Sequence, residues 1–317
     1  MLRVPYSARL LKAHILLVLM TFIWGSTFVL IKAALVSISP LLFNAIRMTL
    51  AAVIMAVLYR KQVIQWTPQA WRAGVIVGVF LFLGYELQTA GLQFTTPSKS
   101  AFLTGVSTVL VPLFLILFWR ARTHVWRTLG ITCAFVGLFS MTVPAGKEAM
   151  ADFAKINAGD LLCLGCAVAF AFQIIFLGRA TRHFPFEQIA VLQLSVAAVL
   201  MLIAAPVVEH PRLRLTPTVM AAIVITGVLC TAVAFTVQAW AQQFTPASHA
   251  ALIFTLEPVF AWLTSLVYLG ERLGTRAGVG ALLIVAGVLI SEVLDPGRTV
   301  EPEEAGDRDN ESSRASV

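Results

Sequence analysis

Apolar residues fill long stretches of this chain, and short polar gaps separate them. Ten such stretches stand out: 13–32, 40–59, 73–94, 99–119, 125–143, 160–178, 187–208, 218–240, 248–269 and 275–294. A bilayer core takes roughly 20 apolar residues per helix, and each stretch is about that long. The alternating segments of about 10 residues that mark a membrane barrel do not occur. The pattern predicts an all-α membrane protein with ten transmembrane helices. Arg9 and Lys12 precede the first stretch as they would a secretory leader. That stretch is too long for a leader, and Trp24 and Lys32 stand where cleavage needs small residues. It reads as the first membrane helix.

Composition points the same way. Of 317 residues, 59% are hydrophobic and 12% charged, against about 45–50% and about 25% in soluble domains. This excludes a soluble enzyme and a disordered chain. The formal net charge is +7, but the basic residues sit in the gaps between apolar stretches, as in membrane loops. No nucleic-acid partner is expected; the expected partner is the lipid bilayer. With the N-terminus inside, the first three inner segments hold Arg3, Arg9, Lys12, Arg60, Lys61, Arg72, Arg120, Arg122 and Arg127. The matching outer segments hold only Lys32, Lys99, Lys147 and Lys155. The bias predicts cytoplasmic N- and C-termini. Residues 295–317 carry seven acids and three arginines, a net of −4, and read as an acidic, disordered cytoplasmic tail.

The chain also resembles itself. Thr96-Pro97 and Thr245-Pro246 both precede a long apolar stretch, 149 residues apart. Leu129-Gly130 and Gly137 match Val279-Gly280 and Gly287 at a shift of 150, and Trp24 aligns loosely with Phe170. The expected organisation is a cytoplasmic segment 1–12, a five-helix unit 13–143, a linker 144–159, a second five-helix unit 160–294, and the tail. Five spans per unit force the two units into opposite orientations. Such inverted repeats build secondary transporters with the substrate site at the repeat interface.

Several motifs resemble the EamA-type family of the drug/metabolite transporter superfamily. They are Trp24-Gly25-Ser26-Thr27-Phe28 with Lys32, Leu83-Gly84-Tyr85, Leu87-Gln88-Thr89, Gly91-Leu92-Gln93, Pro97 to Thr104, Leu256-Glu257-Pro258-Val259 and Gly270-Glu271-Arg272. The resemblance spans all ten stretches. It implies a ten-helix carrier of the inner membrane that moves small metabolites, often outward. Two positions depart from the pattern. Trp119-Arg120-Ala121-Arg122 stands where Gly-Glu-Arg is common, and Glu86 occupies a position expected to be apolar.

Ionisable groups at membrane depth are costly and face the bundle interior or a wet cavity. Glu86 and Glu257 are therefore the leading candidates for binding substrate or carrying a proton. Either could instead be an internal structural lock, paired with Arg47 or with backbone amides. Arg47 is expected to pair structurally or to snorkel to the interface. Helical spacing groups further polar residues on single faces: Glu86, Thr89 and Gln93; Ser100, Thr104, Ser107 and Thr108; Thr231, Gln238 and Gln242. A lone Ser or Thr is more often a helix-packing hydrogen bond than a ligand, but faces bearing Glu and Gln in both units read as walls of one polar cavity. The expected substrate-binding set is Trp24, Thr27, Glu86, Gln88, Thr104, Thr108, Gln173, Gln238, Gln242 and Glu257. Pro112 and Pro258 free the carbonyls of Thr108 and Phe254, either to line that cavity or as simple kinks. Of the five histidines only His249 is near that cavity, and it reads as a helix-end residue rather than a proton relay.

Other chemistry is missing. No phosphate-binding G-x-x-x-x-G-K-[ST] occurs, so transport has to run on a gradient. Cys163-x-x-Cys166 lies in an apolar stretch with no second ligand pair and reads as structural, and no metal or cofactor is expected. The leading reading is a carrier working by alternating access on an amino acid or related polar or amphipathic compound, with protons as a possible coupling ion. A channel, a lipid-binding scaffold and a membrane-embedded enzyme are the alternatives. The enzyme reading has only Glu271-Arg272 as a candidate, without partner groups.

Overall fold

A computed structural model describes residues 6–63, 67–95, 97–143, 146, 150–151, 154–269 and 274–295. The expectations for Lys147, for Gly270-Glu271-Arg272 and for the tail after Asp295 fall outside these residues, as do the side chains of Phe28 and Lys32. Among the described residues the fold is all helical, apart from an isolated antiparallel bridge between Ile38 and Leu213.

Nine helical stretches among the described residues are long and apolar enough to cross a membrane. The helices are α1 (Tyr6–Ala34), α2 (Pro40–Leu58), the short α3 (Arg60–Val63), α4 (Pro68–Leu92), α5 (Pro97–Gly105), α6 (Ser107–Trp119), α7 (Val125–Thr142), α8 (Ala158–His183), α9 (Phe186–Val208), α10 (Pro217–Ile225), α11 (Ala234–Ala241), α12 (Ala247–Phe254), α13 (Glu257–Leu269) and α14 (Thr275–Leu294). A π-helical stretch, Thr226–Val233, joins α10 to α11.

The apolar stretch 248–269 is two helices rather than one. α12 ends at Phe254 and α13 begins at Glu257. Pro258 therefore sits in the first turn of α13, where a missing N–H costs nothing, and does not kink a continuous helix. The stretch 99–119 has the same form. It divides at Val106, where Thr108 Oγ1 donates to the carbonyl of Gly105 at 2.6 Å. Pro112 lies inside α6, one turn further on. Arg120 closes α6 in the left-handed region at φ 53°, with the Ala121 N–H returning to the carbonyl of Leu115. A glycine is usual at such a helix end.

Side chains tie successive helix ends together at the two ends of the bundle. At the near end, where α1 begins, Gln188 Nε2 donates to the carbonyl of Gln62, and the Lys12 ammonium sits 5.3 Å over the Trp240 ring. At the far end Glu209 Oε1 accepts the N–H of Leu42. Glycines permit the closest helix crossings. A Cβ on Gly130 would lie 2.5 Å from the carbonyl oxygen of Gly287, and one on Gly137 would lie 2.6 Å from that of Gly280. A Cβ on Gly25 would lie 2.7 Å from the carbonyl of Glu257, so α1 presses against the start of α13. The largest apolar cluster packs α2, α4, α8 and α9 around Met48, Leu81, Leu177 and Leu194.

Candidate functional site

The middle of the bundle gathers aromatic rings around two charged groups. Trp24 on α1 lies 5.7 Å from the Phe235 ring and 5.5 Å from that of Phe254. Its indole Nε1 donates to the carbonyl of Cys230 at 2.7 Å. Thr27, one turn further along α1, bonds to carbonyls of its own helix and touches Cys230 Sγ at 3.3 Å. Tyr85 packs edge-on against Phe170 and Phe235. The Arg47 guanidinium lies over the Tyr85 ring at 4.5 Å and over Phe43 at 5.6 Å. Arg47 is buried, and its Nε has no hydrogen-bond partner. Glu257, the first residue of α13, is half-buried and lies within electrostatic range of Tyr85, Cys166 and Cys230.

The remaining expected residues form three further groups. Glu86 is half-buried, with Oε1 enclosed and unpartnered. It lies within electrostatic range of both Arg47 and Glu209. Gln88 Nε2 reaches Thr104 Oγ1 at 3.4 Å, and Thr104 also contacts Cys166 Sγ at 3.8 Å. Thr108 spends its hydroxyl on the broken helix, as described above. Gln173, Gln193 and Gln238 form a buried amide chain. Gln173 Nε2 donates to Gln193 Oε1 at 3.1 Å, and Gln238 Nε2 donates to Gln173 Oε1 at 3.3 Å. Gln242 donates to the carbonyl of Ile174 at 3.0 Å. The distal atoms Gln193 Nε2, Gln238 Oε1 and Gln242 Oε1 are buried without partners.

Two expectations are corrected at the near end. Asp295 does not belong to a solvated tail: it is 1% exposed and pairs with Arg127 Nε at 2.8 Å. His249 is not a simple helix-end residue. It is fully buried, with Nδ1 2.7 Å from Glu292 Oε1 and Nε2 3.2 Å from Asp295 Oδ2. Both follow from packing the start of α12 against the end of α14. The four cysteines are free thiols, and Cys163 donates to Ser100 Oγ at 3.2 Å. Among the described residues no group of His, Cys, Asp or Glu is arranged to hold a metal ion.

The sequence matches the EamA-like transporter family twice, over residues 11–143 and again over 157–292. The chain belongs to that family. A transporter of Archaeoglobus fulgidus, named only as such, is 32% identical over 88% of this chain and 85% of its own length. The Bacillus subtilis transporter YoaV is 24% identical over 89% of this chain and 97% of its own. A Chlamydia trachomatis S-adenosylmethionine/S-adenosylhomocysteine transporter is 26% identical over 62% of each chain. A solved crystal structure covering 89% of this chain and 97% of its own shares the fold, with a TM-score of 0.72 at 17% identity. Family and relatives are transporters, not enzymes.

In this EamA-like transporter, sequence reasoning missed Tyr85, Cys230, Phe235, Phe254 and Gln193, and gave Arg47 only a structural role. Tyr85 stood next to Glu86 in the same motif and could have been read with it. Phe235 and Phe254 carry no such signal, because an aromatic ring in an apolar stretch looks like any core residue.

Proposed function

We propose that this transporter is a secondary carrier with ten membrane helices in two inverted five-helix units, 13–143 and 160–294, joined by the linker 144–159. It moves a small amphipathic metabolite of the amino-acid type outward by alternating access between those units. The tenth span in this reading is the broken pair α12 and α13. The double family match supports two units. So does the crossing of α7 and α14. The 150-residue shift that maps Gly130 to Gly280 and Gly137 to Gly287 also exchanges the contact Gly130–Gly287 with Gly137–Gly280. A contact that maps onto itself in this way is the mark of a two-fold axis. Between antiparallel helices that axis runs perpendicular to them, hence in the membrane plane, as an inverted repeat requires. The basic bias of the first half supports an inner-membrane setting with the near end, and both termini, in the cytoplasm.

The observation that carries the substrate class is the buried Arg47 over Tyr85, with Glu257 in range of the same ring and Trp24, Phe235 and Phe254 beside them. A guanidinium suits a carboxylate. Glu257 and Glu86 suit an ammonium group or an exchanged proton, and the rings suit an apolar or cationic body. Gln88, Thr104 and the amide chain of Gln173 and Gln238, with Gln242, extend the polar wall. The relative named for S-adenosylmethionine and S-adenosylhomocysteine, both amino-acid derivatives, fits the same chemistry.

Purified protein in liposomes loaded with unlabelled amino acids or S-adenosylmethionine tests this reading. Saturable uptake of the labelled compound, stimulated by the internal load, is expected. Flux that neither saturates nor responds to the load supports a channel instead. If Glu86→Gln and Glu257→Gln both retain the native pH dependence, neither carboxylate couples protons.

A further inference from the structure

The near end of the bundle holds a second group of ionisable residues, one of them on the same short helix α12 that carries Phe254. His249 on α12 lies between two carboxylates of α14, Glu292 and Asp295. From α1, His14 places Nδ1 2.7 Å from Glu292 Oε2, and its ring stacks on that of His249 at 6.3 Å. From α7, Arg127 pairs with Asp295 and reaches Ser248 Oγ at 3.3 Å. His124, which caps α7, lies 3.9 Å from the other oxygen of Asp295. On its remaining side Ala247 and Ala251 of α12 share an apolar cluster with Val111, Leu115, Ala171 and Ile174, and Ala247 lies beside the uncharged Gln242 and Gly178. The four helices α1, α7, α12 and α14 thus meet at one buried ionic cluster.

The contacts of the two imidazoles set how many protons the cluster needs. A carboxylate oxygen only accepts hydrogen bonds, so each nitrogen-to-oxygen contact needs one proton. His249 makes two such contacts, through Nδ1 and Nε2. A neutral imidazole supplies one proton, so the closed arrangement holds one more. His14 needs a proton only at Nδ1, because its Nε2 is enclosed without a partner.

We propose that His249, clamped between Glu292 and Asp295, is a proton-binding site that latches the near end: closing α12 onto α14 takes up one proton, and parting them releases it. No bond other than that N–H changes, and the released proton passes to water at the near end. The inference rests on the carrier reading only in that α12 and α14 part during transport. It assigns the proton to a site that neither Glu86 nor Glu257 shares.

Linkage fixes the pH response. The parted state holds a solvated histidine, half-protonated near about pH 6.5. Below that value both states carry the proton and opening is insensitive to pH. Above it, each pH unit favours the parted state by up to about tenfold.

Hydrogen exchange of the whole protein in nanodiscs, corrected for intrinsic exchange at each pH, reads this without any transport measurement. Protection of the amides of α12 and of the last turn of α14 is expected to fall by up to about tenfold per unit as the pH rises above about 6.5. In His249→Gln the change is expected to stay within about twofold, with α9 protected as in the native protein. A flat native profile, or a native slope in His249→Gln, overturns the proposal. Should His249→Gln not fold, native protein labelled with 15N-histidine decides. One of the five histidines is expected to hold both ring protons to a higher pH than a solvated ring does, about 6.5, and five rings that all lose the second proton at or below that pH overturn the proposal.

Discussion

The indole of Trp24 is bonded to the main-chain carbonyl of Cys230 at 2.7 Å, inside the π-helical stretch that joins α10 to α11. The wider register there shows in Thr231, whose hydroxyl reaches back five residues to the carbonyl of Thr226. A π-helical turn inside a longer helix is uncommon and often sits at a functional site. Trp24→Phe keeps an aromatic ring against Phe235 and Phe254 but removes the donor. It is expected to cost about 1 kcal/mol in thermal unfolding and to lower transport. An unchanged melting temperature and flux would mean that the bond ties α1 to nothing that matters.

The contact of Gly137 with Gly280 makes a sharper steric prediction. The two nearest atoms a Cβ would meet are backbone, the Gly280 carbonyl oxygen and the Ile284 nitrogen, and neither can rotate away. Gly137→Ala and Gly280→Ala are each expected to destabilise by about 1–3 kcal/mol, as overpacked cores do. Both substitutions push the same two helices apart, so the double variant should cost less than the sum of the two. Additive losses in denaturation would place the two glycines in separate contacts.

Nine membrane-crossing helical stretches among the described residues were legible because hydropathy is a one-dimensional signal. Gly130 and Gly137 were legible because each has a glycine 150 residues further on. The break between α12 and α13 was legible only as Pro258, which could equally mark a kink in one helix, and the three-dimensional path shows that two helices meet there. Asp295 looked like the first residue of an acidic tail because acids follow it. Its burial depends on Arg127, 168 residues away. His249 and Glu292 are 43 residues apart, and nothing local links them. At the candidate site Trp24 and Glu257 were visible as polar or amphipathic exceptions in apolar stretches. Phe235 and Phe254 were not exceptions, so no pattern marked them.

Arg120 gives a prediction in the stabilising direction. It holds φ at 53° to end α6, and its N–H returns to the carbonyl of Ile116. A side chain pays for that conformation, whereas glycine adopts it freely. Arg120→Gly is expected to raise stability by about 0.5–1 kcal/mol. Arg120→Val, branched at Cβ, is expected to lower it by more than that. Melting curves of the two variants in one detergent measure both signs, and a destabilising glycine would show that the arginine side chain holds the turn.

The far end carries an ion pair as enclosed as the near-end cluster. Lys99 Nζ lies 2.6 Å from Asp160 Oδ2, and Asp160 is 2% exposed. The same carboxylate accepts Thr95 Oγ1 at 2.6 Å and the N–H of Asn157 at 2.8 Å, which completes a capping box at the start of α8. The pair therefore joins the end of α4, the start of α5 and the start of α8. Removing one member of a buried pair leaves the other charge uncompensated, at a cost of about 3–5 kcal/mol. Lys99→Met strands Asp160 and should show that full loss. Asp160→Asn keeps an acceptor for Thr95 but strands the ammonium, and should show a similar one. The double variant carries neither charge and should recover part of the sum, which denaturation of the four proteins measures as a coupling energy. If the two losses simply add, Lys99 and Asp160 are held by their other contacts and the far end is not closed by this pair.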